Sequence, residues 1–132
     1  MNLVIVESPF AGDIEKNQEY ARACLRDCLL KGESPYASHL LFTQKGILDD
    51  SIPEERKLGI EAGLEWGKLA NKTVIYTDLG ISSGMEYGIK NAKANNREIE
   101  YRELPGFNLW LEKYQQEKNI EPLLSTHSPC FN

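Results

Sequence analysis

The stretch Leu3-Val4-Ile5-Val6-Glu7-Ser8-Pro9 decides the fold class. An uninterrupted apolar run, mostly β-branched and ended by Ser-Pro, is typical of a short strand that is buried on both faces. Strands of that kind belong to parallel sheets with helices on either side. A second run of the same character covers residues 72–77, and helical patterns follow both runs. The sequence therefore predicts a single three-layer α/β domain with a mainly parallel sheet of four or five strands.

The first helix follows the loop after the first strand. Asp13 is a candidate N-cap, and an apolar face that includes Cys24, Cys28 and Leu29 continues until Gly32. The two cysteines lie one helical turn apart and are able to serve as two ligands of a metal. Their position on the apolar face favours buried small side chains instead.

A second helix is predicted over residues 53–70, where Ser51 and Glu54 fit a capping box. Its apolar positions follow helical spacing, and three glycines form a separate stripe at intervals of four. The apolar positions are Leu58, Ala62, Trp66 and Leu69, and the glycines are Gly59, Gly63 and Gly67. Glycine costs a helix roughly 0.8–1 kcal/mol relative to alanine, so the stripe indicates a close neighbour. Intrachain packing is favoured, and a partner helix or a ligand remains an alternative.

The other elements are assigned from shorter patterns. Residues 35–44 are expected to hold a strand or an extended loop, and residues 45–50 a connecting loop. The next helix has Met85, Ile89 and Ala92 on its apolar face and ends near residue 95. A more exposed strand is predicted over residues 97–103, and a further helix over residues 109–118. The domain is thus predicted to span residues 1–118. Residues 119–132, which contain two prolines, are predicted to form an irregular tail.

Composition excludes several classes of protein. The 132 residues suit one domain, and 41% hydrophobic and 27% charged residues match a folded globular chain without a membrane span. The net charge of -5 and the absence of a basic cluster argue against a nucleic-acid partner. Three cysteines, an odd number, and an N-terminus without a secretory signal predict a cytoplasmic protein.

Two loops have the position and composition of a ligand site. In a parallel sheet, ligands bind beyond the carboxyl ends of the strands, which is where residues 7–13 and 77–86 are expected to lie. The second loop precedes a helix, whose first amides and positive dipole end suit a phosphate or carboxylate. Ser83 and Glu86 also fit a capping box, which accounts for both residues without a ligand.

Several motifs together resemble a known superfamily. Residues 83–92, Ser-Gly-Met-Glu-Tyr-Gly-Ile-Lys-Asn-Ala, resemble the Gly-x-Glu-Leu-Gly-x-Ala element of the nucleoside 2-deoxyribosyltransferases, and Val4–Asp13 resembles their first strand and Ser-Pro loop. The segments 8–13, 39–41, 48–50, 53–56 and 78–85 look like an uncharacterised bacterial and phage branch of that superfamily. The likeness covers residues 3–103.

The resemblance implies a flavodoxin-like fold, a nucleoside or nucleotide ligand, and no cofactor or metal. Glu86 matches the glutamate that attacks the anomeric carbon of the sugar in catalytic members. Asp78, Asp49 and Asp50 are candidates for a second acid that assists departure of the base, with Asp78 preferred, although such aspartates also form turns and caps. The implied ligand-binding residues are Ser8, Pro9, Phe10, Gly12, His39, Gly80, Ser82, Ser83, Gly84 and Met85.

Other interpretations remain open. Phe10, Tyr36 and Tyr87 are able to stack on a base or to pack in the core, and His39 is able to contact a ligand or to serve the fold. The resemblance implies a homodimer or a larger homo-oligomer, to which the glycine stripe would contribute. The alternatives to a glycosidase or transferase are a non-catalytic binder that sequesters a nucleotide or a nucleotide-derived signal, and a partner-binding module without a small ligand.

Overall fold

The computed structural model describes residues 1–127, with the backbone alone considered over residues 120–127. Four strands alternate with helices along the chain. The elements are β1 (Leu3–Glu7), α1 (Ile14–Leu30), β2 (Ser34–Tyr36), α2 (Ser38–Leu41), α3 (Pro53–Gly67), β3 (Lys72–Tyr76), α4 (Ser83–Ala94), β4 (Glu98–Arg102) and α5 (Phe107–His127). Within residues 1–127, no helix combines the length and the apolar character that crossing a membrane requires.

The strands form one parallel sheet in the order β2-β1-β3-β4. Strand β1 pairs with β3 through Val4 opposite Lys72, and β3 pairs with β4 through Lys72 opposite Glu98. The α/β fold class is confirmed, with four strands. Residues 35–44 contain the end of β2 and the short helix α2, because β2 covers only three residues.

The two faces of β1 differ in their surroundings. Val4 and Val6 are buried against α1, where Cys24 and Cys28 lie as buried free thiols, so the interpretation of these cysteines as core residues is confirmed. Leu29, which was expected on the same helix face, is exposed because it lies at the last turn of α1. On the opposite face of the sheet, Ile75 packs with Met85 and Ile89 of α4.

Helix α3 presents its glycines inward, with Ile60 and Leu64 beside them in a cavity lining, and other apolar side chains outward. A Cβ atom at Gly63 would lie 2.8 Å from Ser38 Cβ, and one at Gly67 would lie 2.9 Å from Ile5 Cδ1. The close neighbour of the glycine stripe is therefore the chain itself. Leu58 and Trp66 of the apolar pattern are 56% and 60% exposed, and Leu69, two residues beyond the end of α3, is 63% exposed. The helical spacing of these apolar residues thus marks an outer face of α3, because the glycines occupy the inner one.

Two predicted capping boxes are wrong. Helix α3 has Ile52 as its N-cap, without a side-chain cap, because Ser51 instead donates hydrogen bonds to Asp49. Helix α4 is capped by Ser82, whose Oγ accepts the amide of Met85 at 3.3 Å, so Ser83 and Glu86 do not form the capping box.

Helix α5 runs to His127, so the predicted irregular tail is wrong for residues 119–127, and the boundary at 118 falls inside a helix. The residues before Pro122 include many Glu, Lys and Gln, which are strong helix formers, and a helix that has already nucleated adds residues easily. Residues 128–132, which include Cys130, lie outside the described part of the chain.

A buried ion cluster links β4 to the segment before β2. Arg102 donates to both carboxylate oxygens of Glu33, at 2.7 and 2.6 Å, and Lys72 lies 3.1 Å from the same carboxylate. The hydrogen bond from Arg102 is the largest cause that lowers the pKa of Glu33 to about 2. Glu100 also accepts from Lys72 and Arg102. The charges balance within the cluster, so it serves the fold.

Candidate functional site

A cavity of about 660 Å³ lies between α3 and α4, along the face of β1 that carries Ile5 and Glu7. This volume is in the range of small-molecule sites, which is roughly 300–1,000 Å³. Most of the predicted ligand-binding residues line it: Ser8, Phe10, His39, Ser82, Ser83, Gly84 and Met85. The sheet places the loop after β1 next to the start of α4, because parallel strands bring their carboxyl ends to one edge.

Ser8 and His39 form a polar pair in the wall of the cavity. Ser8 is buried, and its Oγ lies 2.7 Å from Nε2 of His39 on α2. Burial lowers the pKa of His39 to about 4, so the imidazole is neutral at pH 7. A neutral imidazole and a hydroxyl each have a donor and an acceptor. The pair is therefore suited to hold hydroxyl groups or ring nitrogens of an uncharged ligand.

The start of α4 forms the polar end of the cavity. Ser82 is the N-cap, and the amide of Glu86 donates to its carbonyl oxygen at 3.0 Å. The amides of Ser83 and Gly84 belong to the first turn, in which backbone N–H groups have no intrahelical acceptor. Both residues line the cavity. These donors and the positive end of the helix dipole suit an oxygen-rich part of a ligand.

Aromatic rings form part of the wall. Phe10, Tyr36, Phe42 and Tyr87 all line the cavity. The Tyr36 and Phe42 rings are 6.1 Å apart, and the Tyr36 hydroxyl is buried without a hydrogen-bond partner among residues 1–127. Burial raises the pKa of Tyr36 to about 12. These surfaces are suited to contact a flat heterocycle.

Glu7 lies on the floor of the cavity and was not among the predicted site residues. It is the last residue of β1, partly buried, and a Cβ atom at Gly88 of α4 would lie within 2.5 Å of its carboxyl carbon. Burial raises its pKa to about 8, with a smaller opposing effect from Arg97. The signal in the sequence was alternation: Glu7 shares a face with Ile5 in a strand expected to be buried on both faces.

The two predicted catalytic residues lie outside this cavity. Glu86 is exposed and is not among the lining residues. Asp78 accepts from the Tyr20 hydroxyl at 2.6 Å and from the Leu104 amide at 2.8 Å. Asp78 thus ties α1 to the segment after β4, and it borders a separate depression formed with residues 103–109.

Three predicted ligand-binding residues also lie away from the cavity lining. Pro9 is buried in the loop after β1. Gly12 and Gly80 have φ angles of 97° and 86°, a region that favours glycine, and they allow the turns that precede α1 and α4. Residues 1–127 contain no group of three or more His, Cys, Asp or Glu side chains arranged to hold a metal ion.

The comparisons with known proteins agree with this architecture. The fold resembles that of a 2-deoxyribosyltransferase from the psychrotolerant bacterium Bacillus psychrosaccharolyticus, with a TM-score of 0.54 and 19% sequence identity. The likeness covers 75% of this chain and 70% of that one. No curated protein matches the sequence at a significant level. The sequence model of the domain of unknown function DUF7768 matches residues 2–102, and the chain therefore belongs to that family.

Proposed function

We propose that this protein binds a nucleoside or nucleotide in the cavity between α3 and α4 and breaks or exchanges its N-glycosidic bond. The observation that carries the proposal is the cavity itself. Its walls combine aromatic rings, the Ser8–His39 pair and the start of α4, and it lies at the carboxyl end of β1. A nucleoside needs the same combination, because it joins a flat heterocycle to a hydroxyl-rich sugar.

The charges around the cavity favour a ligand with little net charge. With Glu7 protonated, three acidic and three basic side chains remain in the lining: Asp50, Glu55, Glu61, Arg56, Lys57 and Arg97. Arg56 lies 3.1 Å from Asp50, and Lys57 lies 3.8 Å from Glu61. Because two of the three cations are already paired, the site suits a nucleoside or a monophosphate better than a polyphosphate.

Glu86 and Asp78 remain the predicted nucleophile and second acid on the strength of the superfamily resemblance. Attack by Glu86 on an anomeric carbon would require the sugar to reach the outer side of the first turn of α4. The exposure of Glu86 favours the second candidate, a protein that binds a nucleotide or a nucleotide-derived signal without cleaving it. The resemblance to the bacterial and phage branch is compatible with both functions.

We further propose that the chain forms a homodimer or larger homo-oligomer in the cytoplasm. The supporting feature is the outer face of α3 together with the residues just after the helix, where Leu58, Trp66 and Leu69 are more than half exposed. Trp66→Asp should then convert the protein to monomers in sedimentation velocity at about 10 μM, an ordinary working concentration for weak dimers. A monomeric wild-type protein would contradict this part of the proposal.

A panel of nucleosides and 5′-nucleotides tests the function directly. Thermal shift reports binding, and chromatography reports free base. Release of base supports the glycosidase or transferase, and a shift without release supports the binder. The matched variant is Ser8→Ala, which removes the hydroxyl that faces His39 in the cavity wall and should reduce the ligand-induced shift. A wild-type protein that responds to no member of the panel would refute the proposal.

A further inference from the structure

Glu7 is an acid in an unusual setting. Its carboxyl group lies between the backbone of α4 at Gly88 and the cavity, and the described residues form no hydrogen bond or ion pair with it within ordinary distances. A carboxylate that is removed from water without a partner is costly, so the group keeps its proton at neutral pH. The floor of the cavity therefore holds a neutral carboxylic acid.

The other titratable groups in the lining differ in what they offer. His39 is neutral at pH 7, and the pKa of Tyr36 is about 12. Asp50 is paired with Arg56, and Glu55 accepts the amide of Asp49. Glu7, with a pKa of about 8, thus combines a proton at neutral pH with the ability to release it.

We propose that Glu7 is the proton donor of this cavity and acts on the heterocycle of a bound nucleoside, an inference that rests on the proposed function. The position supports this role because Glu7 lies on the floor between the Ser8–His39 pair and the glycines of α4. Arg97, which faces the same floor, favours the carboxylate that remains after the proton has left. The superfamily resemblance assigned no role to Glu7, although the segment Val4–Asp13 contains it.

The chemical step balances with water as the second reactant. The Glu7 proton moves to a ring nitrogen of the base, the bond between C1′ and the base breaks, and its electron pair goes to the base. The oxygen of a water molecule then bonds to C1′, either directly or by displacing the Glu86 carboxylate if Glu86 has attacked first, and a proton of that water returns to the Glu7 carboxylate. One nucleoside and one water molecule give one free base and one sugar.

Glu7→Gln is the direct test, because a neutral amide has nearly the shape of a neutral acid but is not able to donate a comparable proton. On the best substrate of the nucleoside panel, kcat should fall by about 10²- to 10⁴-fold, the usual contribution of a general acid. The KM should stay close to that of the wild type, and so should the melting temperature at pH 4.5, where the ionisation of Glu7 makes little difference to stability. The control is Glu98→Gln, the same change at an exposed position outside the cavity.

Two further readouts separate proton donation from a merely structural role. The wild-type kcat/KM should fall as pH rises through about 8, whereas the residual activity of Glu7→Gln should lack that step. A 7-methylguanine nucleoside has a cationic base that leaves without protonation. Glu7→Gln should therefore lose much less activity on 7-methylguanosine than on guanosine.

Gly88→Ala tests the position of the acid. The new methyl group would occupy the space of the Glu7 carboxyl group, which is the movable end of a side chain, while alanine favours the helix by roughly 0.8–1 kcal/mol. We expect a folded variant with greatly reduced release of base.

The results that overturn the inference differ from those that overturn the proposed function. Binding of nucleosides without any release of base would leave the binding site in place and refute Glu7 as a proton donor. Equal losses of Glu7→Gln on guanosine and 7-methylguanosine, or an unchanged pH profile, would also refute it. Absence of any binding would refute both.

Discussion

The buried acid makes a prediction about stability that needs no ligand. Glu7 has an ordinary pKa of 4.5, which we expect in the unfolded chain, and a pKa of about 8 in the folded protein. Between these values the unfolded chain has lost a proton that the folded protein keeps, so the free energy of unfolding falls as pH rises. The stability that the retained proton contributes is complete below pH 4.5, decreases as pH rises, and is lost once pH passes about 8.

The magnitude follows from the two pKa values. Each unit of difference corresponds to about 1.4 kcal/mol, so the full effect is about 5 kcal/mol. Because Glu7 is partly exposed to the cavity, we expect about 2–4 kcal/mol. Glu7→Gln removes the ionisation. Its free energy of unfolding should match that of the wild type within about 1 kcal/mol at pH 4.5 and exceed it by about 2–4 kcal/mol at pH 9.

Urea unfolding of both proteins at pH 4.5, 6, 7.5 and 9 measures this difference. All other groups, His39 included, titrate in both proteins and cancel in the comparison. Glu98→Gln, the same change at an exposed position outside the cavity, provides the control. Parallel curves for Glu7→Gln and the wild type would mean that Glu7 ionises freely, and the description of the cavity floor would be wrong.

Three further predictions concern other parts of the molecule. Arg102→Met leaves the buried Glu33 carboxylate without its bidentate partner. Urea titrations should show a free energy of unfolding about 3–5 kcal/mol lower than that of the wild type, and the double variant with Glu33→Gln should regain part of this loss. Gly63→Ala forces a methyl group against α2 and should cost about 1–3 kcal/mol, whereas a loss below the error of the titration would contradict the close approach. Glu86→Gln should keep the wild-type melting temperature. If Glu86 is the nucleophile, release of base should fall by about three orders of magnitude, and retained turnover would exclude Glu86 as the nucleophile.

The fold class was predictable because its signals are local. The apolar run in β1 and the Asp13 cap of α1 depend on neighbouring residues, and both are present in the structure. The orientation of α3 was not predictable in the same way. Its apolar spacing indicates a helix correctly, but which face turns inward depends on Ser38 and Ile5, which lie in other elements.

The candidate site was predictable only in part. The loop after β1 and the start of α4 follow from the rule that ligands bind at the carboxyl ends of parallel strands. Glu7 was missed because its environment depends on Gly88 and Arg97, which are distant in sequence. Asp78 lies in a turn after a strand, a position that suits catalysis. Only the folded structure shows that its carboxylate already accepts hydrogen bonds from the Tyr20 hydroxyl and the Leu104 amide.

Titration of the ¹⁵N-labelled protein with the nucleosides of the panel tests the central claim most directly, because amide chemical shifts locate a ligand whether or not it is cleaved. The account predicts saturable shifts at Glu7, His39, Gly84 and Gly88, around the cavity between α3 and α4. Residues 103–109, around the depression next to Asp78, should stay unchanged. Shifts confined to that depression, or no saturable shift with any nucleoside, would contradict the account.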